Sequence, residues 1–369
     1  TTMSTLTGKK IGFIGGGRMG EGIFSGILKA GLIPPQDLYV ADIREDHLQA
    51  LKAQYGMNIV NSSTNEGLKQ LIDSVDVVFL AILPQVAPKL LPYINSCLDP
   101  QKHFVFSIMG GVLTTTIEEQ ITETSLIRIM PNTPMSVCEG CAGIVPGKNA
   151  KQEHKDMAAE IFNAIGLGLF LPEAQIDPLT GISGCGPAFC GIMIQALADG
   201  GVYLGLSRAD AIKIAAQTLV GTGKMVLEQG IHPEILKDNV CSPGGGTIGG
   251  TVSLERDGFR AACINAVINA VNRMNEETGK VVQPHKGFDI DAAHRILALI
   301  EHGQGWKPQE KARYVVLENG ELARRKSGRE IKPRQAALDV EHATGEKSAQ
   351  RIVQERGHDI IRDADSWED

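Results

Sequence analysis

A glycine-rich turn near the N-terminus constrains the fold of this chain more than any other feature. The apolar run Ile11–Ile14 leads directly into a turn where Gly15, Gly17 and Gly20 have G-x-G-x-x-G spacing, and a helical pattern begins at Arg18. Strand, glycine turn and helix in this order are typical of a βαβ unit that binds a dinucleotide pyrophosphate at the helix N-terminus. This glycine turn (residues 15–20) therefore predicts a Rossmann-type α/β domain.

Two charged residues after the next apolar run bear on the choice of dinucleotide. The run 38–41 ends in Asp42, where an acid can hydrogen-bond the adenosine ribose and favour NADH. Arg44 could instead pair with a 2′-phosphate and allow NADPH, or it could be a solvated residue of the following helix. The sequence leaves NADPH and NADH both open as the cofactor.

Further apolar runs at 75–83, 104–108 and 126–130 predict a doubly wound sheet. Ligands of such sheets lie beyond the carboxyl ends of the strands. Pro84 and the segment 130–134 follow two of these runs, so we expect them to face the same crevice as the glycine turn. The residues predicted to contact the cofactor besides the glycines, Asp42 and Arg44 are Arg18, Met19, Pro84, Met130, Pro131 and Asn132.

Helical patterns dominate after about residue 150. The predicted helices cover 187–204, 207–228, 232–239 and 257–277. We therefore expect a dinucleotide-binding domain at 1–170, an all-helical substrate and dimerisation domain at 171–280 and an appendage at 281–369.

A second glycine-rich segment, Ser242-Pro-Gly-Gly-Gly-Thr247, removes side chains where a backbone would approach a small anion. If a helix starts near Thr247, its N-terminal N–H groups and dipole would hold a carboxylate. A flexible loop before a helix is the alternative interpretation. In combination with the glycine turn, this triple-glycine loop (residues 242–247) favours a substrate site.

Residues 9–280 resemble pyrroline-5-carboxylate reductase, the last enzyme of proline biosynthesis. The matching segments are the glycine turn, Met130-Pro-Asn-Thr-Pro134, Ser183-Gly-Cys-Gly-Pro-Ala188, Ala198-Asp-Gly-Gly201, Leu236-Lys-Asp-Asn-Val240 and Ser242-Pro-Gly-Gly-Gly-Thr-Ile248. The resemblance implies hydride transfer from NADPH or NADH to the C=N carbon of 1-pyrroline-5-carboxylate, giving L-proline. It also implies a homodimer through the helical domains, often assembled into larger rings.

The resemblance further implies roles for individual residues. Thr247 would hydrogen-bond the ring nitrogen, with Ser242 also at the substrate, while Gly245 and Gly246 offer N–H groups to its carboxylate. Met130, Pro131 and Asn132 would border the nicotinamide. A protonated imine is already a good electrophile, so alignment of two bound molecules is the main task, and no metal is predicted.

Two positions depart from the family pattern, and two other functions compete with it. Leu83 replaces a common Lys, and Gly246 replaces a small hydroxyl residue or Ala. A β-hydroxyacid dehydrogenase would carry a catalytic Lys within 183–195, where this chain has none. A non-catalytic dinucleotide sensor would have no need of the triple-glycine loop.

Composition favours a soluble cytoplasmic enzyme. The net charge is −7, and neither a signal-peptide pattern nor a long uninterrupted apolar run is evident, so no membrane contact is expected. The seven cysteines, an odd number, favour reduced thiols, although Cys138 and Cys141 form a C-x-x-C pair with a possible redox or metal role.

Charged residues become about twice as frequent after Lys280. This tail predicts helices at 291–302 and 345–363 and a hairpin around Asn319-Gly320. A basic cluster at 324–334 could touch phosphate, but a solvated surface is favoured, so nucleic acid is not an expected partner. The segment 344–351 faintly resembles part of plasmid-mobilisation relaxases, without a paired-His metal motif.

Overall fold

The computed structural model describes residues 4–277, 279, 314–316 and 322–324. The chain divides into two compact units. The first comprises Thr1–Gly230 with Ala270–Thr278, and the second contains Ile231–Asn269.

An eight-stranded sheet organises the first unit. Its strands are β1 (Ile11–Ile14), β2 (Leu38–Asp42), β3 (Asn58–Asn61), β4 (Val77–Leu80), β5 (Phe104–Ser107), β6 (Ser125–Met130), β7 (Gly140–Pro146) and β8 (Gly166–Phe170). The order is β3-β2-β1-β4-β5-β6-β7-β8, and only the β6–β7 pair is antiparallel. The predicted doubly wound sheet is confirmed, whereas β3, β7 and β8 were not predicted because Asn and Gly are depleted in strands.

Helices connect and cover the strands of this unit. They are α1 (Arg18–Lys29), α2 (Glu45–Tyr55), α3 (Asn65–Ser74), α4 (Ala87–Cys97), α5 (Thr114–Glu118), α6 (Gln152–Ala164), α7 (Ile176–Leu179), α8 (Gly186–Tyr203) and α9 (Arg208–Gln229). Local sequence sets their ends: Ser207 Oγ accepts from the N–H of Asp210 at the start of α9 over 3.1 Å, and Gly230 follows its end at φ 64°.

The core has two layers because successive side chains of a strand point to opposite faces of the sheet. In β4, Phe79 belongs to one buried cluster and Val78 to the other. Phe79 stacks on Phe13 of β1 with 4.3 Å between ring centroids and lies 4.7 Å from Phe106 of β5. This row of rings joins three adjacent strands, so the crevice beyond their carboxyl ends has a rigid base.

The second unit contains α10 (Pro233–Asn239) and α11 (Gly246–Arg256), and α12 (Phe259–Glu277) follows them in the chain. The four helices predicted between 187 and 277 are confirmed to within about two residues at each end. Strands β9 (Tyr314–Val316) and β10 (Leu322–Arg324) pair antiparallel, as the predicted hairpin requires. The Asn319-Gly320 turn, the predicted tail helices and most of the basic cluster lie outside the described residues.

Candidate active site

The glycine turn lies where the strand order reverses, which is the usual ligand position in a doubly wound sheet. It follows β1, while Asp42 ends the neighbouring strand β2 and Ala81 follows β4 on the other side. All three strands run parallel, so their carboxyl ends meet at one edge of the sheet.

Steric contacts explain two of the three motif glycines. Gly15 has φ +108°, and a Cβ there would lie 2.3 Å from the carbonyl oxygen of Ala81. A Cβ on Gly20 would lie 2.9 Å from the carbonyl oxygen of Gly15. Gly17 differs, because a Cβ there would meet no described heavy atom within 4 Å, and no described side chain caps α1, which Gly17 precedes. The first N–H groups of α1 are therefore available to an anion.

Asp42 is bound into the glycine turn. Its Oδ2 accepts from the backbone N–H of Gly16 over 3.0 Å, and its Oδ1 accepts from the backbone N–H of Arg44 over 3.0 Å. Burial by itself would raise the pKa of Asp42, but hydrogen bonds from Arg44 and Gly16 outweigh it and lower that pKa to about 2. Asp42 is therefore a carboxylate at any physiological pH.

Arg44 forms an ion pair with Asp42, the residue whose predicted cofactor preference is opposite to its own. Its Nε and Nη2 donate to the two oxygens of Asp42 over 2.9 and 3.0 Å. The Arg44 side chain is 57% exposed, whereas that of Asp42 is only 8% exposed. The guanidinium thus lies on the solvent side of the carboxylate and offsets its charge where an adenosine ribose would approach.

The other predicted cofactor residues near β1 and β4 differ in their surroundings. Arg18, the first residue of α1, is exposed, while Met19 is partly buried and packs against the core. Pro84 lies half-buried in the turn after β4, and the preceding Leu83 is 68% exposed. Leu83 therefore places an apolar side chain on the surface where the family pattern often has Lys.

The segment Met130–Asn132, here called the MPN loop, begins at the last residue of β6. Pro131 and Asn132 are buried and Met130 is half-buried. The amide of Asn132 is used within the protein: Nδ2 donates to the carbonyl oxygen of Ser183 over 3.0 Å, and Oδ1 accepts from the N–H of Cys141 over 2.7 Å. These partners were not predicted, because no sequence pattern joins positions this far apart.

A second buried polar contact involves the strand that precedes the MPN loop. Arg128 of β6 pairs with Glu173, whose other oxygen accepts from the N–H of Thr114 over 3.3 Å. Arg128 is 2% exposed, and its Nε lacks a hydrogen-bond partner among the described residues. The sequence signal for this ion pair was a charged residue inside the apolar run of β6, since charged residues are almost never buried unless paired.

The triple-glycine loop belongs to the second unit, where it leads from α10 into α11, and its last two residues, Gly246 and Thr247, begin α11. Gly244 has φ +69°, and a Cβ on Gly245 would lie 2.4 Å from Ser242 Oγ. Gly245 precedes α11 as its N-cap residue, so the predicted helix start near Thr247 is correct to within one residue. Thr247 is exposed in the first turn of α11 and is not the N-cap.

Charge pairs hold the helices that flank this loop. Glu234 of α10 accepts from Lys237 over 2.7 Å and from Arg260 over 2.8 Å. Hydrogen bonds from Arg260 and Lys237 lower the pKa of Glu234 to about 2. Arg260 also donates to Glu255 of α11 over 2.6 Å, so one guanidinium connects α10 with α11. The loop is therefore anchored on both sides.

Relatives match nearly their whole length to this chain. A pyrroline-5-carboxylate reductase of Methanosarcina acetivorans is 42% identical over 276 residues, which is 74% of this chain and 100% of that protein. The enzyme of that name from Escherichia coli is 38% identical over 72% of this chain and 97% of its own length. The chain belongs to the pyrroline-5-carboxylate reductase family. The resemblance predicted from the sequence is thereby confirmed.

Solved pyrroline-5-carboxylate reductases share the fold. The Coxiella burnetii structure is 32% identical, with a TM-score of 0.66 over 73% of this chain and 98% of its own. A Plasmodium falciparum pyrroline carboxylate reductase with NADP bound is 32% identical, with a TM-score of 0.63 and the same coverage.

Two family descriptions match separate parts of the chain. "Pyrroline-5-carboxylate reductase dimerisation" matches residues 173–277, and "NADP oxidoreductase coenzyme F420-dependent" matches residues 10–111. An oxidoreductase with a Rossmann-like N-terminal region and a helical dimerisation region is the architecture predicted from the sequence. Within the described residues, no group of three or more His, Cys, Asp or Glu side chains could hold a metal, and all seven cysteines carry free thiols.

Proposed function

We propose that this chain reduces 1-pyrroline-5-carboxylate to L-proline, with NADPH or NADH as the cofactor. The bound cofactor would supply the hydride for the C=N carbon of the substrate. The observation that carries the proposal is the uncapped start of α1 beside Gly17, held next to Asp42 in a chain of this family.

The residues around the glycine turn fit a dinucleotide. Gly17 and the first residues of α1, Arg18 to Gly20, offer backbone N–H groups to a pyrophosphate. Asp42 and Arg44 would contact the adenosine ribose and its 2′-substituent. Pro84 and the MPN loop would border the nicotinamide, because they follow β4 and β6 at the same edge of the sheet.

The triple-glycine loop would hold the substrate. Gly246, the first residue of α11, would donate its backbone N–H to the substrate carboxylate. The N–H of Gly245 donates to the carbonyl oxygen of Ser242 over 3.0 Å, so Gly245 would exchange this bond for one to the carboxylate. Thr247, exposed one residue later, would hydrogen-bond the ring nitrogen, with Ser242 also at the substrate. Alignment of the imine against the cofactor is then the main contribution of the protein.

Assembly with a second copy would cover an apolar helical surface. The helical stretch Glu173–Tyr203 has a mean hydropathy of 1.4 in its most apolar window, yet only 11% of that window is buried. Ile192 is 71% exposed and Leu204 is 84% exposed. Hydropathy alone would also permit a membrane span, but the stretch falls in the matched dimerisation region. We therefore infer a homodimer or larger homo-oligomer without membrane contact. We further propose that the chain works in the cytoplasm on a small-molecule substrate and has no nucleic-acid partner.

We also propose a division into domains at 1–170, 171–280 and 281–369. Its support is the start of the matched dimerisation region at residue 173, directly after β8.

The proposal is tested by following NADPH and NADH oxidation with 1-pyrroline-5-carboxylate on the full chain and by identifying proline as the product. A Gly17→Glu variant should raise the KM for either cofactor at least about tenfold, because a carboxylate would stand where the pyrophosphate binds. Ala30→Glu is the matched control, since it adds the same carboxylate at the exposed far end of α1. A wild-type chain that forms no proline with either cofactor would refute the proposed function.

A further inference from the structure

The side chain of Asn132 connects the MPN loop to the turn that precedes α8. Its Nδ2 donates to the carbonyl oxygen of Ser183 over 3.0 Å, and its Oδ1 accepts from the N–H of Cys141 over 2.7 Å. Asn132 is 7% exposed, so the amide is almost wholly removed from water. Both of its polar atoms are therefore bonded to backbone groups of other segments.

The carbonyl oxygen of Ser183, which accepts from Asn132 Nδ2, lacks its usual donor within the helix. In an α-helix the carbonyl oxygen of Ser183 would accept from the N–H four residues later. That residue is Pro187, which has no N–H. A carbonyl that is partly removed from water needs a donor, and Asn132 supplies it from outside the helix.

The segment around Ser183 is a π-helical turn, Thr180–Gly184, in which the N–H of Cys185 donates to the carbonyl oxygen of Thr180 over 3.0 Å. Such turns occur often at functional sites. The turn also lies beside the MPN loop, since a Cβ added to Gly184 would lie 3.8 Å from Met130 Cε, at an ordinary van der Waals distance. The Asn132–Ser183 bond and this contact therefore join the turn to the MPN loop at two neighbouring positions.

We propose that Asn132 is a positioning residue for hydride transfer, which fixes the MPN loop against the π-helical turn and so sets the place of the nicotinamide. This inference rests on the proposed function, in which the MPN loop borders the nicotinamide. Hydride transfer is sensitive to small displacements, and a misplacement of about 1 Å can reduce a rate about 100-fold.

The test compares Asn132→Ala with the wild-type full chain in steady-state kinetics. We expect kcat to fall about 10–100-fold while the KM for the cofactor changes less than about threefold. With cofactor dideuterated at C4, the isotope effect on kcat should rise, because the displaced nicotinamide makes hydride transfer rate-limiting. Asn58→Ala is the matched control: its amide also donates to backbone carbonyls, of Gln36 and Leu38, but at the amino end of β3, and its kinetics should stay at the wild-type level.

A second variant separates positioning from simple stabilisation. Pro187→Ala restores an N–H that can donate to the carbonyl oxygen of Ser183. Added to Asn132→Ala, it should recover thermal stability but leave kcat low and the isotope effect raised, because the MPN loop is still detached. Recovery of kcat together with stability would overturn the proposal, since Asn132 would then only satisfy a carbonyl.

Other outcomes are equally decisive. Unchanged kcat and isotope effect in Asn132→Ala would refute the positioning role while leaving the proposed function intact. A raised KM for the cofactor with normal kcat would mean that the Asn132 amide binds the cofactor directly, which also overturns the proposal. If Asn132→Ala does not fold, Asn132→Ser, which keeps a polar side chain but loses the Nδ2 donor to Ser183, tests the same bond and should raise the isotope effect. An isotope effect at the wild-type value in that variant would count against the role.

Discussion

Arg44 Nε lies 2.9 Å from Asp42 Oδ1, and the two side chains form one ion pair beside the glycine turn. Taken separately, the acid favours NADH and the arginine favours NADPH. As a pair, the exposed guanidinium offsets the charge that would repel a 2′-phosphate, while Asp42 stays hydrogen-bonded to Gly16. We therefore propose that cofactor preference depends on both residues together.

Arg44→Ala should lower kcat/KM with NADPH by about 10–100-fold and change kcat/KM with NADH by less than about threefold. The variant loses a charge-assisted contact to the 2′-phosphate and leaves the Asp42 carboxylate without its counter-charge. Asp42→Ser should shift the ratio in the opposite direction. The measurement is the ratio of kcat/KM values for the two cofactors, and Asp46→Ser, at an exposed acid in the first turn of α2, is the control. A constant ratio across these variants would show that neither residue faces the ribose.

Asp42 should also make stability pH-dependent. Its pKa is lowered from 3.8 to about 2 in the folded chain, so its contribution is fully present above about pH 4 and is lost as the pH falls towards 2. Asp42→Asn should reduce the free energy of unfolding at pH 7 by about 1–3 kcal/mol, and this difference should shrink at low pH. Urea unfolding of both proteins between pH 3 and 7 measures it. A difference that is independent of pH would mean that the carboxylate charge is not responsible.

Thr247→Ala should lower kcat/KM for pyrroline-5-carboxylate about 10–100-fold, because one hydrogen bond in a desolvated site contributes about 1.5–3 kcal/mol. The melting temperature should hardly change, since Thr247 is exposed and Gly245 is the N-cap residue of α11. Thr251→Ala, one turn further along the same helix, is the control. Wild-type kinetics in the Thr247 variant would exclude its role at the substrate.

Glu173→Gln should destabilise the first unit by about 3 kcal/mol, because it leaves the Arg128 guanidinium buried without a carboxylate. This value is at the low end for buried pairs, since Glu173 is 31% exposed. Chemical unfolding checks it, and Glu153→Gln, at an exposed acid of α6, serves as the comparison. A loss below about 1 kcal/mol would indicate that solvent reaches Arg128.

A 1–280 truncation should remain at least dimeric and active. The exposed apolar side chains of α8 and α9 lie within this segment, and the matched dimerisation region ends at residue 277. Light scattering and the reductase assay on the truncated and full chains check both statements. An active monomer would refute the assembly proposal, while joint loss of dimer and activity would assign an interface role to the tail.

Features that depend on neighbouring residues could be predicted from the sequence. The glycine spacing after β1, the apolar runs of β4, β5 and β6, and the starts of α8, α9 and α10 all follow from local sterics, periodicity and capping. The family resemblance was equally readable, because it lies in short contiguous motifs.

The side-chain partnerships of the candidate site were decided only by the tertiary structure. The sequence shows that Asp42 and Arg44 lie two residues apart, where their side chains can pair. It does not show the hydrogen bond that joins Asp42 to Gly16, 26 residues away. The bonds from Asn132 to Ser183 and from Arg128 to Glu173 join residues 51 and 45 positions apart. Sequence patterns record which side chains can form hydrogen bonds. Only chain packing brings a particular donor to a particular acceptor, and it removes both from water.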